Sequence, residues 1–370
     1  MKIGIITFHH TTNYGATLQA YALSKALTVW GHSVEIIDYR PKGAVGFYVK
    51  QLLPIQNRRF DWNEDFYRHI LKAMRMRRFL VSSLSLSKLR CYSNHKLRAI
   101  FEAANYDAII TGSDQVWCLN TKFRGFDPAY FLDFFEAGDN CLKVSYAPSV
   151  GETKSFTDKR AEICDLIEKF DYVSVRDHHS KNVIQKECGV TATKVLDPTF
   201  LVGYDDILTP PDTAVPYLLV YNHKTLSALQ EQAIKDIARV KKLKIISIGD
   251  TWNVADYSKI AVHPKEWIGY FKHASYVFTN TFHGTIFSLL FKKDFTVFVG
   301  EGKRNKVYDL LGSLDLEMRI ITANPGEGET DISAIDYRAV EKKLNPQIRE
   351  SKAFLARIFD RAYLPVSGGV

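Results

Sequence analysis

The chain alternates short apolar runs with segments of helical period, and this alternation constrains its fold more than any other feature. Residues 2–8 have the pattern of a strand, 16–30 that of a helix and 34–39 that of a second strand. The same alternation returns after residue 100 and again from 217 to 299. Repeated strand–helix–strand units form parallel sheets with helices on both faces. The sequence therefore predicts an α/β fold.

Domain boundaries follow from the chain length and from the distribution of proline. A chain of 370 residues suggests two domains, if about 150 residues make one domain. Three prolines and several acidic residues mark 201–216 as a linker. This leaves 1–200 as an N-terminal and 217–335 as a C-terminal Rossmann-like domain. Residues 336–370 are predicted to form a C-terminal helix, interrupted near Pro346, and a tail.

From residue 41 to residue 100 the alternation stops and positive charge accumulates. This segment holds thirteen Lys and Arg against three acidic residues, a net charge of +10, whereas the whole chain carries +8. Within it, Phe66–Leu80 has the pattern of a basic amphipathic helix. Such a helix can lie on an anionic membrane, or it can belong to a helical insertion with a solvated basic face. Nucleic-acid binding is not favoured, because no DNA- or RNA-binding motif accompanies the charge.

The segment Thr279–Thr285 is the strongest candidate for a functional site. An apolar run, Ala274–Phe278, precedes it, and a helix-like run, Thr285–Phe291, follows it. Open α/β sheets bind ligands at such strand-to-helix crossovers, where the free N–H groups of the helix start favour an anion. His283 lies at this point and can exchange a proton near neutral pH. The alternative interpretation is a polar turn whose histidine only caps the helix.

Further polar side chains follow other predicted strands, at the edge of the sheet where α/β proteins bind ligands. They are Asn13, Gln19, Asp114, Gln115, Arg176, Asp177, Asn280, Arg304 and Lys306. Each has a structural alternative, as a helix N-cap, a surface ion pair or part of a solvated turn. Together, cations, a carboxylate and a histidine at converging strand ends indicate an anionic substrate and proton transfer.

Neither metal binding nor membrane insertion is indicated by the sequence. The five cysteines are scattered and never form CxxC, which predicts reduced thiols in a cytoplasmic protein and no metal site. No apolar run reaches the roughly 18 residues that are needed to cross a bilayer. The first residues run directly into the first strand, without the pattern of a signal peptide.

Five stretches of the sequence resemble the polysaccharide pyruvyl transferase family, and they occur in the same order as in that family. They are Asn13–Gln19, Thr111–Trp117, Ser174–Asp177, Leu196–Thr199 and Thr279–Thr285. The resemblance implies a GT-B-like pair of Rossmann-like domains with the site in the cleft between them. It also implies phosphoenolpyruvate as the donor, a sugar hydroxyl pair as the acceptor and no further cofactor. The expected product is a pyruvate ketal on a bacterial surface polysaccharide.

The resemblance also suggests which residues act. It associates the positions of Arg176 and His283 with the donor, and we expect His283 to be the proton donor. Some members have an arginine where this chain has Thr281, so Arg304 or Lys306 is expected to supply the missing cation. Asp114 is expected to activate or orient the acceptor hydroxyl. The other residues expected at the donor are Asn280, Thr281 and Gly284, and those expected at the acceptor are Asn13, Gln19 and Gln115.

A lipid-linked glycan is the acceptor that the resemblance suggests, so we expect the protein to meet it at the inner face of the membrane. The basic segment would then bind either the anionic membrane surface or the pyrophosphate of the acceptor. Two other functions are open at this stage. A GT-B glycosyltransferase that uses a nucleotide sugar would have a similar fold. A non-catalytic glycan-binding protein would not need acid/base groups beside cations.

Overall fold

Two parallel β-sheets, each packed with helices on both faces, form the framework of the chain. The structure is a computed structural model. It describes residues 1–46, 55–56, 59–60, 64–121, 125–136, 138–223, 226–300, 304–322 and 331–359.

The first sheet contains five parallel strands and is accompanied by two short strand pairs. The strands of this half are β1 (Lys2–Ile6), β2 (Ser33–Tyr39), β3 (Ile55–Gln56), β4 (Arg59–Phe60), β5 (Leu86–Cys91), β6 (Ala108–Thr111), β7 (Leu142–Ser145), β8 (Ser174–Val175) and β9 (Thr193–Lys194). The main sheet has the order β5-β2-β1-β6-β7, while β3 pairs with β4 and β8 pairs with β9. The chain reverses its direction of winding between β1 and β6, which is where such sheets place their ligands.

The helices of the first half are α1 (Tyr14–Val29), α2 (Glu64–Ser83), α3 (Leu97–Ala104), α4 (Arg160–Glu168) and α5 (His178–Cys188). Residues 86–100 fall within the segment predicted to be an insertion, yet they form the edge strand β5 and the first half of helix α3. The strand was missed because Lys88, Leu89 and Arg90 are exposed along it and break the apolar pattern. The insertion also contains helix α2, which the sequence predicted from residue 66, and a short helical stretch at residues 42–46.

The second sheet contains six parallel strands in the order β12-β11-β10-β13-β14-β15. Its elements are β10 (Tyr217–Tyr221), β11 (Lys244–Ile248), β12 (Tyr257–Lys259), β13 (Tyr276–Thr279), β14 (Phe295–Phe298), β15 (Ile320–Ile321), α6 (Ala228–Lys241), α7 (Pro264–His273), α8 (Phe282–Leu290) and α9 (Arg304–Gly312). This is the strand order of a Rossmann fold, and its switch point lies between β10 and β13. Helix α8, which carries His283, starts directly after β13.

The two sheets share one hydrophobic core, to which α1 contributes from the first half and α7 and α8 from the second. The ring of Tyr14 stacks on Trp267, with ring centroids 5.6 Å apart. The hydroxyl of Tyr14 donates to the carbonyl oxygen of Val262 at 2.7 Å. Helix α2 adds polar contacts, since Lys72 donates to Gly249 O at 2.8 Å and Arg75 to Ala261 O. The side chains of α1 and α2 therefore fix the cleft between the halves.

The C-terminal helix α10 (Tyr337–Phe359) crosses from the second half back to the first. Near its start, Tyr337 donates to Lys293 O. Near its end, the ring of Phe354 packs on Tyr146 and Ser351 accepts from the backbone of Leu196. The predicted interruption near Pro346 is wrong, because the helix is continuous through that residue. Proline removes one backbone hydrogen bond, and the buried apolar face of α10 outweighs that loss. The predicted tail lies outside the described residues.

The prediction that the thiols are reduced is wrong for two of the five cysteines. Cys164 in α4 and Cys188 at the end of α5 form a disulfide bond. The packing of α4 on α5 brings together residues that are 24 positions apart in sequence, which their spacing alone does not reveal. Cys91, Cys118 and Cys141 are free. Among the described residues, no helix is long and apolar enough to cross a membrane.

Candidate functional site

Charged side chains from both halves meet where the strand ends of the two sheets approach each other. Arg176 follows β8, and Asp197 precedes a short 3-10 turn at Pro198–Phe200. From the second half come His283, in the first turn of α8, and Lys306, in the first turn of α9. The predicted location of the site, in the cleft between two Rossmann-like halves, therefore agrees with where the structure brings these groups together.

Asp197 is the carboxylate around which the other groups are arranged. It is 1% exposed, and its Oδ1 accepts hydrogen bonds from the backbone and hydroxyl of Thr199. Its Oδ2 accepts from Arg176 Nη1 at 3.0 Å and from Ser113 Oγ at 3.3 Å, and lies 3.5 Å from His283 Nε2. Burial opposes ionisation, but the charges of His283 and Arg176 and the hydrogen bonds outweigh it, so the pKa of Asp197 lies below its usual range.

His283 lies inside a helix, not in the loop that the sequence predicted. Helix α8 begins at Phe282, three residues earlier than predicted, because the Thr281 hydroxyl caps it by accepting from Gly284 N at 2.9 Å. The imidazole is 8% exposed and packs against Gly15 at the start of α1. Apart from the 3.5 Å contact with Asp197 Oδ2, its Nε2 has no hydrogen-bond partner among the residues that the structure describes. Thr281 and Gly284 thus shape the helix start, and their contact with a donor stays a prediction.

Among the described residues, one of the three guanidinium nitrogens of Arg176 donates a hydrogen bond and the other two do not. The residue is 3% exposed, so the interpretation as a surface ion pair is wrong. Nη1 binds Asp197, whereas Nε and Nη2 have no hydrogen-bond partner in the described part of the chain, and Nη2 lies 3.8 Å from Asp114 Oδ1. The guanidinium carbon lies 4.8 Å from the centroid of the Phe282 ring. Buried N–H groups are costly when unpaired, so these two nitrogens suit an anionic ligand.

Lys306 is the second cation of the site. Its Nζ lies 5.3 Å from the centroid of the Phe282 ring, the same ring that Arg176 contacts. Burial and the nearby charge of Arg176 lower the pKa of Lys306 to about 8, although Asp114, Asp177 and Asp197 act in the opposite direction. Both cations line one cleft. The side chain of Arg304, the other predicted cation, lies outside the described part of the chain.

Asp114 is held in an unusual backbone conformation at the edge of the site. Its φ is +78°, in the left-handed region that few non-glycine residues adopt. Its Oδ1 accepts from Gln115 N and its carbonyl oxygen accepts from Ser149 N, both at 2.8 Å. Such strain is commonly retained at functional sites. The structure places Asp114 Oδ1 3.8 Å from Arg176 Nη2, and the catalytic role of Asp114 stays a prediction.

The remaining predicted residues have structural contacts of their own. Asn13 caps α1 by accepting from Gly15 N, and Asn280 bonds both backbone groups of His223. Gln19 is fully buried, and its amide nitrogen donates to three oxygens of the same domain. Gln115 is partly exposed next to Asp114. Their roles at the acceptor or donor stay predictions, and among the described residues Gln19 Oε1 has no hydrogen-bond partner.

Two functional residues were missed when the sequence was interpreted alone. Asp197 belongs to the matched stretch Leu196–Thr199, but nothing in its spacing revealed that it meets Arg176 and His283. Phe282 contacts both cations, and its only signal was its position beside His283. Asp177, named among the polar groups, caps α5 and accepts from Ser149 at 2.7 Å. Among the described residues, no group of three or more His, Cys, Asp or Glu could hold a metal ion.

Comparisons with known proteins agree with this architecture. A family model described as polysaccharide pyruvyl transferase matches residues 13–301. The UDP-GlcNAc 2-epimerase from Methanocaldococcus jannaschii is similar in structure, with a TM-score of 0.50 and 11% identity over 97% of this chain and 99% of that chain. S. aureus MnaA, in a co-structure with UDP, gives a TM-score of 0.50 and 12% identity over 100% of this chain and 98% of that chain. At these identities the likeness concerns the fold alone, and the predicted GT-B-like pair of Rossmann-like domains is confirmed. No curated protein sequence matches the chain.

Proposed function

Because the chain belongs to the polysaccharide pyruvyl transferase family, we propose that it transfers the enolpyruvyl unit of phosphoenolpyruvate to two hydroxyl groups of a sugar. The product is a pyruvate ketal, formed during synthesis of a bacterial surface polysaccharide. The observation that carries the proposal is the buried guanidinium of Arg176. Two of its nitrogens lack hydrogen-bond partners among the described residues, and it lies among a histidine, a lysine and two carboxylates.

The donor suits the charges of the cleft. Phosphoenolpyruvate carries a carboxylate and a phosphate, so its site needs more than one cation. The uncommitted Nε and Nη2 of Arg176 form the kind of planar fork that binds a carboxylate or phosphate with two hydrogen bonds. Lys306 offers a point charge that suits the other anionic group. This pair replaces the arginine that some family members have at the position of Thr281.

The reaction needs one group that gives a proton and a route for two protons to leave the acceptor. In our proposal, His283 protonates C3 of the donor, and C2 becomes electrophilic. One sugar hydroxyl attacks C2, the bond from C2 to the phosphate oxygen breaks, and the second hydroxyl closes the ketal. The proton of the attacking hydroxyl passes through Asp114 to the departing phosphate, and the proton of the second hydroxyl restores His283. No other reactant is needed.

Asp197 and Asp114 have different parts in this scheme. Asp197 is fully buried and shared by Arg176, Ser113 and Thr199. It acts as a positioning residue, since its Oδ2 lies 3.5 Å from His283 Nε2 and accepts from Arg176 Nη1. Asp114 is partly exposed beside the uncommitted edge of Arg176. It is the candidate for accepting the proton of the attacking hydroxyl.

Release of phosphate from phosphoenolpyruvate tests the proposal most directly. The purified protein is incubated with the donor and a panel of nucleotide-linked and lipid-linked glycans, and phosphate and the ketal product are measured. A glycosyltransferase would instead consume a nucleotide sugar, and that ligand, not phosphoenolpyruvate, would raise the melting temperature. A glycan-binding protein would release no phosphate. Either outcome would replace the proposed function.

A further inference from the structure

A large groove lies between helix α2 and the residues that follow β1. Its cavity volume is about 290 Å³, and residues 9–12 bound it on one side. The other side is α2, which contributes Ile70, Ala73, Met74 and Leu80. Ligand sites are usually clefts of roughly this size, with mostly apolar walls and a few polar groups. None of the residues assigned to the donor lines this groove.

The wall formed by α2 favours a hydrocarbon over a sugar. A sugar ring needs hydrogen-bond partners for its hydroxyl groups, and Ala73, Met74 and Leu80 offer none. Met74 remains 63% exposed and Ile70 36% exposed, so apolar surface extends from the groove to its mouth. Burying such surface is favourable, and the flexible thioether of methionine adapts to irregular ligands. The occupant that matches this wall is an apolar chain.

Arg77 adds a positive charge to the apolar groove. Two other basic residues of α2, Lys72 and Arg75, are engaged with the second half of the molecule through Gly249 and Ala261. Arg77 is exposed, and in the described part of the chain it has neither an ion pair nor a hydrogen bond. An unpaired guanidinium beside an apolar wall suits an amphiphile with an anionic head such as a phosphate.

The groove also lies close to the proposed reaction centre. Thr12 lines it, and Gly15, three residues further on, packs against His283. Three residues span at most about 11 Å, which is comparable with one or two sugar rings. We propose that the groove binds the hydrocarbon chain of the acceptor, with the acceptor's phosphate at Arg77 and its sugar directed toward His283. This inference rests on the proposed function.

Binding of farnesyl phosphate, measured by calorimetry below its critical micelle concentration, tests the groove without turnover. Farnesol and inorganic phosphate serve as the chain-only and head-only probes. Ala73→Phe fills the groove and should weaken farnesyl phosphate at least tenfold. Arg77→Glu should weaken farnesyl phosphate at least tenfold and leave farnesol unchanged. Val81→Phe and Lys88→Glu are matched controls at exposed positions outside the groove, and they should bind like the wild type.

The outcomes distinguish failure of the groove proposal from failure of the proposed function. Equal affinity of wild type and Ala73→Phe for farnesyl phosphate would overturn the inference, as would binding to anionic vesicles with no binding of the monomeric probe. In both cases phosphate release with a soluble sugar acceptor would be unaffected. If farnesyl phosphate binds as expected but no acceptor supports phosphate release, the proposed function fails and the groove remains a site for an amphiphile.

Discussion

Arg176 joins the structure of the site to its proposed chemistry. Its Nη1 neutralises Asp197 in the protein interior, while Nε and Nη2 are uncommitted. A residue that only stabilised the fold would have its remaining donors satisfied, because buried N–H groups without partners are rare. The same argument favours a functional role for His283, because the residue is buried and its Nε2 has no hydrogen-bond partner among the described residues.

Replacement of His283 by alanine should abolish most of the turnover. Loss of a general acid typically lowers the rate by roughly 10²–10⁴-fold, and the smaller side chain leaves space beside Gly15 without a clash. We expect phosphate release to fall by that factor while the melting temperature stays near the wild-type value. His273→Ala, at an exposed position of the same half, should be fully active. Near-normal turnover in a folded His283→Ala protein would remove His283 from the mechanism.

Replacement of Arg176 by lysine should weaken the donor while keeping a positive charge beside Asp197. Alanine at this position would leave a buried carboxylate unpaired and destabilise the protein, so lysine is the better test. Loss of a charge-assisted hydrogen bond costs about 1.5–3 kcal/mol, which corresponds to a roughly tenfold to hundredfold rise in KM for phosphoenolpyruvate. The control is Arg160→Lys, because Arg160 bonds only a backbone carbonyl, that of Glu187. An unchanged KM would assign Arg176 to the fold alone.

The lowered pKa of Lys306 predicts that the affinity for phosphoenolpyruvate falls at alkaline pH. Its pKa is lowered to about 8, so the ammonium form dominates below pH 8 and is lost as the pH rises through that value. Above pH 7 the phosphate group of the donor is already ionised, and a rise in KM between pH 7.5 and 9 would therefore report on the lysine. In Lys306→Arg the charge persists, and this rise should disappear. The same rise in the arginine variant would assign the titration to another group.

At the scale of elements, the starts of α1 and α8 define the position of His283. An added Cβ at Gly15 would lie 2.1 Å from His283 Nδ1, a separation at which one of the two must move. Gly15→Ala should therefore lower turnover by displacing His283, and we expect most of the effect in kcat and little in stability. Gly203→Ala is the control, since a Cβ there meets no atom within 4 Å. Full activity of Gly15→Ala would show that His283 tolerates displacement.

The alternation of strands and helices was visible in the sequence because each buried strand is an apolar run bounded by turn residues. The predicted ends of helices were less accurate where individual side chains determine where a helix begins or ends. Thr281 starts α8 before the apolar run begins, and the buried face of α10 carries the helix through Pro346. The edge strand β5 was missed because its exposed basic residues resemble those of the insertion.

The candidate site was predictable in its location and only partly in its contacts. His283, Arg176, Asp114 and Lys306 could be named because each follows a predicted strand. The role of Asp197 could not be predicted, because its partners are distant in sequence. Arg176 lies 21 positions away and Ser113 lies 84 positions away. The basic segment is predicted to contact an anionic membrane. Arg75 is less available for that contact, because it bonds Ala261 O and Glu266 in the second half of the molecule. Contact through Arg77 or Arg78 stays a prediction.

At the scale of the whole molecule, both halves contribute to one core and one site. Asp114, Arg176 and Asp197 come from the first half, whereas His283 and Lys306 come from the second. Any displacement of the halves would therefore separate His283 from Asp197. Helix α10 opposes such a displacement, since it is anchored to both halves, and its contact with Leu196 lies one residue from Asp197.

Ser351 offers a test of whether α10 supports the site from a distance. Its hydroxyl oxygen accepts from the buried backbone N–H of Leu196 at 2.8 Å, and alanine would leave that donor without a partner, at a cost of about 1–3 kcal/mol. We expect Ser351→Ala to lower the melting temperature and also to raise KM for phosphoenolpyruvate, because the chain at Leu196 holds Asp197 against Arg176. Ser82→Ala is the matched control, since the Ser82 hydroxyl bonds only within α2. A lower melting temperature with unchanged kinetics would mean that α10 stabilises the fold without positioning Asp197.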